Sequence, residues 1–330
     1  MSAVEPLTEL QASNGIFNYL ESAVESSLYR NGKVLTRRDA DGSDAGTQGV
    51  EREQRNVQVN NARLLHGAAH RSLKSHGFEL LDEAGASASI DFFDHDMVAK
   101  NYYPDCAEIV SQHTGARAYA FDHNVRSASG KKDKRRIDGG QQVQGPAHVV
   151  HGDYTLVSAP QRLRDLAHPP SGNDTLASVL GPDRALISPE DVAAVESGAR
   201  FAIINLWRNI AQEPVATHPI ALCDGQTVKP QDLVVFEIHY QDRIGENYFA
   251  KYADSHRWYY YPAMRKEEAL LIKQWDSAGP LASSAGKAAD GSDKNAPCTF
   301  SFHSAFEDPN TPADAPDRWS IEVRCIVLYD

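Results

Sequence analysis

The 330-residue sequence predicts a mainly β fold with appended helices, its core a double-sheet jelly roll. From about residue 146 onward, short runs of β-branched and aromatic residues recur with turn signals between them. Helical patterns are short, falling before residue 125 and between Asp165 and Val195. Hydrophobic residues make up 41% of the chain and charged residues 24%, enough apolar material for a large core. The expected organisation is one catalytic domain in two parts. Residues 1–145 form a mixed helical and strand region packed on a β core at 146–330.

In chain order, Ile16 to Arg30 carries apolar groups at roughly helical spacing after the Ser13-Asn14-Gly15 turn signal, and predicts a helix. Residues 31–60 are polar and rich in Gly, Asp, Arg and Gln, the composition of an extended surface segment or mobile loop. His76 to Leu81 predicts a short strand. Tyr102 to His113 predicts a helix opening near Pro104 and closing near Gly115, and Ala116 to Phe121 a strand after it. A hydrophilic loop, 126–144, precedes the β core. The core strands are expected at His148–His151, Phe201–Trp207, Leu233–Ile238, Trp258–Tyr261, Ala269–Lys273, Thr299–Phe302 and Ser320–Tyr329. Asp165 to Val195 is an intervening helical insert broken by Pro and Gly, and Ser283 to Ala296 a loop of small and charged residues.

The formal charge of −12 argues against a nucleic-acid or anionic-membrane partner, which would need a concentrated basic surface. The basic run at 131–136 has no aromatic residues interleaved with it and reads as a solvated loop. Cys106, Cys223, Cys298 and Cys325 are far apart, with no CxxC pair, so neither a zinc site nor a disulfide framework is suggested. The opening residues lack the pattern of a secretory leader, and no apolar run approaches the roughly 18–20 residues of a membrane span. A cytoplasmic location is the default expectation.

The chemistry centres on His151-Gly152-Asp153 at the end of an apolar run. In extended backbone, residues i and i+2 point to one face, so imidazole and carboxylate can reach one metal ion. His303 ends another β-like run, CTFSFH, 150 residues after Asp153. Two imidazoles and a carboxylate leave three positions open on an octahedral iron(II), enough for a bidentate 2-oxo acid and O₂, whereas a structural zinc site would want four protein ligands. Arg318 and Ser320 open the last strand, again at i and i+2, where a guanidinium and a hydroxyl can together grip the far carboxylate of 2-oxoglutarate.

Beside these residues the chain resembles a family of fungal and bacterial non-haem iron oxygenases, similar to a cephalosporin 7α-methoxylation component and to gibberellin desaturase-like proteins. The blocks that carry the resemblance span residues 76–330 and include YYPDCAEIV, TGARAYAFDHNVR, HVVHGDYT, RFAIINLWRNI, HPIALCD, HRWYYYPAM, EALLIKQWDS, FHSAFEDP and RWSIEVR. It implies a double-stranded β-helix, the cupin-like jelly roll. It also implies Fe(II), 2-oxoglutarate as cosubstrate, O₂, and a small natural-product or amino-acid-derived substrate in secondary metabolism. Hydroxylation, desaturation and oxidative cyclisation all stay open. Under the resemblance Asn205, Trp207 and Arg208 lie in one strand near the active site. Asn205 and Trp207 share a face, and an inward Arg208 requires the strand to turn. Either Tyr259 and Tyr261 or Trp258 and Tyr260 line the inner face. Lys273, Trp275, His123 and Arg126 are weaker pocket candidates. His123, His148 and His256 are rival ligands, and Arg208, Arg324 and Lys273 rival carboxylate holders.

Two other classes compete: an iron oxygenase that does not consume 2-oxoglutarate, and a non-catalytic, metal-dependent small-molecule binder of cupin shape. The paired Arg318 and Ser320 disfavour both, since neither needs a carboxylate clamp beyond the metal.

Overall fold

A computed structural model describes residues 11–38, 44–82, 90–171, 174–241 and 243–330. Among these, fifteen strands form two sheets. They are β1 (Ala12–Leu20), β2 (Leu35–Arg38), β3 (Asp44–Gln48), β4 (Arg52–Asn61), β5 (Phe78–Leu81), β6 (Arg117–Arg126), β7 (His151–Gly152) and β8 (Phe201–Asn209). They continue with β9 (Ile220–Cys223), β10 (Leu233–His239), β11 (Ile244–Ala250), β12 (Trp258–Tyr260), β13 (Ala269–Asp276), β14 (His303–Ala305) and β15 (Ser320–Leu328). The larger sheet runs β1-β4-β12-β9-β14-β7-β11-β10-β2-β3 and the smaller β5-β13-β8-β15-β6. Helices are few and short. The architecture is mainly β, as expected.

The central strands of the smaller sheet, β13, β8 and β15, are buried on both faces. Every residue of β8 and β13 is buried, which is why both read as near-continuous apolar runs. The helix Tyr103–Thr114 covers the outer face, burying Tyr103, Cys106 and Val110. Pro104 sits in its first turn, and Gly115, at φ 68°, closes it with an N–H donated to the Ser111 carbonyl. Arg208 also faces outward, donating from Nε to the Tyr102 hydroxyl (2.9 Å) and from Nη1 to the Lys266 carbonyl (2.9 Å). The inner face meets the larger sheet across a core that includes Tyr248, Phe300 and Phe302.

The N-terminal expectations need correction. Ile16–Arg30 is not a helix: residues 12–20 are β1, paired antiparallel with β4 from Ala12↔Asn60 to Leu20↔Arg52, and the segment after it turns. Burial alternates along β1, with Ser13, Phe17 and Tyr19 inside and Ile16 49% exposed. Ile16, Leu20, Val24 and Leu28 fall at intervals of four, so a helical period is present in the residues, but pairing with β4 draws residues 12–20 into the sheet. Residues 31–60 are likewise not one extended loop, since β2, β3 and β4 lie within them; residues 39–43 fall outside those described. Their polar side chains alternate outward from ladders that pair β2 with β10 and β4 with β12.

Smaller differences lie in the core. The strand expected at Thr299–Phe302 begins at His303, and the run at His148–His151 contributes only His151–Gly152 to a ladder. β9 and β11 were not expected as strands. The helical insert is three pieces, Ser158–Asp165, Ala177–Leu180 and Pro189–Glu196, the last opened by a Ser188/Asp191 capping box.

Candidate active site

His151 and His303 are directly paired residues of adjacent antiparallel strands, β7 and β14. Cross-strand partners project to the same face, so residues 152 apart in sequence have ring centroids 4.2 Å apart. Gly152 lies between the first imidazole and Asp153, and a Cβ there would sit 3.1 Å from the Phe300 ring. That contact is tight enough to favour glycine in the middle of the triplet. One ligand atom from each of His151, Asp153 and His303 lies within 4.8 Å of the others. Nε2 of His151 is 3.6 Å and Nε2 of His303 is 3.8 Å from Asp153 Oδ1.

The surroundings fix the lone pairs. His151 Nδ1 donates to the Val149 carbonyl at 2.8 Å, which leaves Nε2 unprotonated and turned toward His303 and Asp153. Burial and the neighbouring His303 push the His151 pKa down to about 4, so the ring is neutral at pH 7. Burial likewise lowers that of His303. Burial alone would raise the Asp153 carboxyl, but Arg324, His303 and His151 outweigh it and hold the group well below the usual carboxylate range. Its Oδ2 is occupied by Asn205 Nδ2 (3.1 Å) and by Arg324 through Nε and Nη2 (both 3.3 Å), leaving Oδ1 toward the imidazoles. Its backbone N–H donates to Gln274 (3.2 Å). Two neutral imidazoles and one ionised carboxylate converging on a point suit a divalent cation with coordination positions to spare.

A row of polar residues faces this point from β15. Ser320, Glu322 and Arg324 stand at i, i+2 and i+4, flanked by Arg126, Asn124 and Asp122 of β6 and by Asn209, Trp207 and Asn205 of β8. Arg318 extends the row. A small cavity lies between the imidazoles and Arg318, lined by His151, His303, Arg126, Trp207, Arg318 and Glu322, with Ala147, Ile220 and Ala305 completing the wall. Arg318 is 3% exposed, and burial, then Arg126, lowers its pKa to about 9. One terminal nitrogen donates to the His218 carbonyl. Arg318 Nε and Ser320 Oγ are buried without a hydrogen-bond partner among the described residues. Buried donors of this kind are costly unless matched, and a carboxylate in the cavity would match them.

The sequence-derived candidates thus divide. His151, Asp153, His303, Arg318, Ser320, Asn205 and Trp207 come together at the site. Arg208 faces the helical side of the sheet instead. Lys273 is 2% exposed and pairs with Asp276 at 2.9 Å, outside the cavity wall. Tyr259 and Tyr261 pack with Phe78 in the apolar cluster behind Trp207 and Ile220. Of the rival ligands, His123 bonds to the Tyr103 hydroxyl (2.8 Å) and His256 sits 3.3 Å from Asp232. Arg324 had been only a substitute carboxylate holder, and Asp122, Glu322 and Gln274 had not been singled out. The alternation through Arg318, Ser320, Glu322 and Arg324, against apolar Ile321, Val323 and Cys325, marks one polar face of a buried strand and could have found Glu322 and Arg324, whereas Asp122 and Gln274 reach the site from β6 and β13.

Residues 17–328 match the family described as the Oxidoreductase/YMDC permease-like domain. Among the described residues no helix is long and apolar enough to cross a membrane. The chain is 30% identical over 263 residues to the Fe(II)/2-oxoglutarate-dependent dioxygenase nvfI of Aspergillus novofumigatus, covering 78% of this chain and 77% of the relative. It belongs to the Fe(II)/2-oxoglutarate-dependent dioxygenase family. This oxygenase is also 28% identical over 300 residues to the alpha-ketoglutarate-dependent dioxygenase phiK of a fungal species, covering 88% of this chain and 92% of the relative. An uncharacterised protein of Methylophilus leisingeri is 43% identical over 195 residues, 58% of this chain and 88% of that one. The oxygenase shares its fold with the solved iron and alpha-ketoglutarate-dependent endoperoxidase NvfI, at a TM-score of 0.70, 22% identity, 96% of this chain and 98% of that chain. The activity is that of a 2-oxoglutarate-dependent non-haem iron dioxygenase, with Fe(II) and 2-oxoglutarate as cofactor and cosubstrate.

Proposed function

We propose that His151, Asp153 and His303 hold the iron, that the cavity ending at Arg318 and Ser320 takes 2-oxoglutarate, and that the two sheets form a double-stranded β-helix enclosing both. The observation that carries this reading is Arg318 Nε, buried and unmatched among the described residues, in the wall of a cavity whose other wall is the two imidazoles, with the equally unmatched Ser320 Oγ two residues further along the chain. When bound, iron(II) and 2-oxoglutarate would supply the electrons that activate O₂ for oxidation of the substrate.

The chain's own residues then have definite tasks. The Val149 carbonyl fixes the His151 tautomer, and Asn205 and Arg324 clamp the far oxygen of Asp153, so the ligand set is oriented before metal arrives. Arg318 offers a planar guanidinium to the distal carboxylate, while Trp207 and Ile220 keep that end of the cavity dry. A broad cleft lies on the far side of the Asp122–Arg324–Asp153 chain of charges, lined by Asp122, Tyr154, Arg162 and Thr175. This cleft is where the organic substrate approaches. Its polar lining and the oxygenases of fungal metabolism among the relatives support a small natural-product or amino-acid-derived substrate, oxidised by hydroxylation, desaturation or ring closure.

The test is substrate-dependent succinate release under iron(II), ascorbate and air, screened across amino acids, terpenoids and polyketides. No succinate from any class, with 2-oxoglutarate bound to iron-loaded protein, would count against small-molecule oxidation.

A further inference from the structure

One row of side chains crosses the smaller sheet between the cleft and the metal ligands. Asp122 of β6 is paired directly with Arg324 of β15, and Arg324 with Asn205 of β8, so the three side chains project side by side from one face. The ladder between β6 and β15 slips next to this row. Arg324 pairs with Asp122 but Cys325 with Ala120, which leaves Phe121 as an extra residue between them. A bulge of this kind re-aims the neighbouring side chain, here that of Asp122.

Charge-assisted contacts tie the row to Asp153. Arg324 Nη1 donates to Asp122 Oδ2 at 2.9 Å, the shortest of its contacts with carboxylates, while Nε and Nη2 reach Asp153 Oδ2 at 3.3 Å each and Nη2 reaches Glu322 at 3.2 Å. Side-chain exposure falls inward along the chain, from 27% for Asp122 to 12% for Arg324 and 11% for Asp153. Asp122 is thus the end that solvent reaches, and it stands in the cleft wall with Thr175. The Thr175 hydroxyl has one proton and two acceptors in range, the Phe121 carbonyl at 2.9 Å and Asp122 Oδ1 at 3.2 Å, so Oδ1 keeps acceptor capacity. The guanidinium that braces Asp153 is itself braced by a carboxylate open to the cleft.

We infer that Asp122 is a positioning residue for Asp153, acting through Arg324, and that what occupies the cleft beside Asp122 is therefore felt at the metal. The inference rests on His151, Asp153 and His303 holding the iron. Without the Asp122 carboxylate, Arg324 loses its shortest anchor and its hold on Asp153 Oδ2 loosens. A small carboxylate that enters the cleft from solvent can take the same place against Nη1 and restore the hold.

The test is chemical rescue of metal binding. Iron(II) affinity is measured anaerobically by chelator competition for the unaltered protein and for Asp122→Ala, Asp122→Asn, Arg324→Gln and Asp153→Ala. Each is measured in chloride and in acetate at equal ionic strength, with melting temperatures alongside. Asp122→Ala should bind iron about 10-fold more weakly, the lower end of the range for loss of an outer partner of a metal ligand. Acetate should recover most of that loss while leaving the unaltered protein and Arg324→Gln where they were. Unchanged iron affinity in Asp122→Ala overturns the inference. So does a loss that acetate fails to recover, which would put the effect in the fold rather than in the contact with Arg324. Should Asp122→Ala fail to fold, the nearly isosteric Asp122→Asn decides: weaker iron binding supports the inference and unchanged binding overturns it. If Asp153→Ala keeps its iron, the ligand assignment falls instead, whatever the Asp122 variants do.

Discussion

Asp153 shows how much of the site is settled around a single carboxylate. One oxygen is fixed by Asn205 and Arg324 and the other faces two imidazoles. His303→Ala and Asp153→Ala should each lose iron and turnover together, whereas His123→Ala and His256→Ala should keep iron; the reverse pattern by metal quantitation would move the ligand set. Arg324→Gln leaves all three ligands in place but loosens the aspartate, and loss of an outer partner of a metal ligand lowers metal affinity by about 10- to 100-fold. Competition with a chelator reads that change directly. Ser320→Ala removes one neutral hydroxyl and should weaken 2-oxoglutarate less than Arg318→Gln does, by roughly 1 kcal/mol against 1.5–3. Equal losses in an anaerobic titration of the iron(II)-loaded protein would mean that Ser320 carries more of the distal carboxylate than its chemistry suggests.

Strand β1 carries a helical period yet forms a strand, and its two faces supply the test. Phe17 is fully buried against Trp258 and Phe306, with ring centroids at 4.7 and 5.6 Å, while its neighbour Ile16 is half exposed. Phe17→Ala should therefore cost about 3–5 kcal/mol and Ile16→Ala less than about 0.5 kcal/mol, measured by urea unfolding. A helix over 16–30 would have put Ile16 and Leu20 on one buried face and made the Ile16 change the costly one. β15 makes the complementary point. The alternation of Arg318, Ser320, Glu322 and Arg324 with Ile321, Val323 and Cys325 is visible in the sequence, yet Glu322 has no role in the sequence reading and Arg324 only that of a rival carboxylate holder. A strand pattern says which residues share a face but not which face a site occupies. That face was set by β6 and β8 on either side.

At the scale of the whole molecule, burial of neutral histidines makes stability depend on pH. Burial pushes His123 to about 4, partly offset by Asp122, and His76 to about 4, with Arg71 adding to the burial. Their unfolded values lie near 6.5, so between about pH 6.5 and 4 the unfolded chain binds more protons than the folded one. Stability is therefore full above that window and falls as pH drops through it, by up to about 1.4 kcal/mol per pH unit for each such group. Melting temperatures of the iron-free protein between pH 7 and 4 check this, and His123→Gln should flatten the decline. A melting temperature that rose on acidification would contradict the buried neutral state.

The mainly β class, the core strands expected at 201–207, 233–238, 269–273 and 320–329, the helix near Pro104 and the three metal-ligand candidates could all be read from residue order, with strand ends shifted by one to three residues in the fold. Each rests on local chemistry: β-branched runs, a proline and glycine bracketing a helix, an i and i+2 pair of ligand side chains. What tertiary structure decided is everything set by partners distant in sequence. β4 made a strand of residues with a helical period, β14 put His303 against His151, and the outer helix claimed Arg208. The physical reason is common to all three. A side chain's period limits the directions it can point, but burial and hydrogen bonding reward only the direction in which the folded chain supplies a partner.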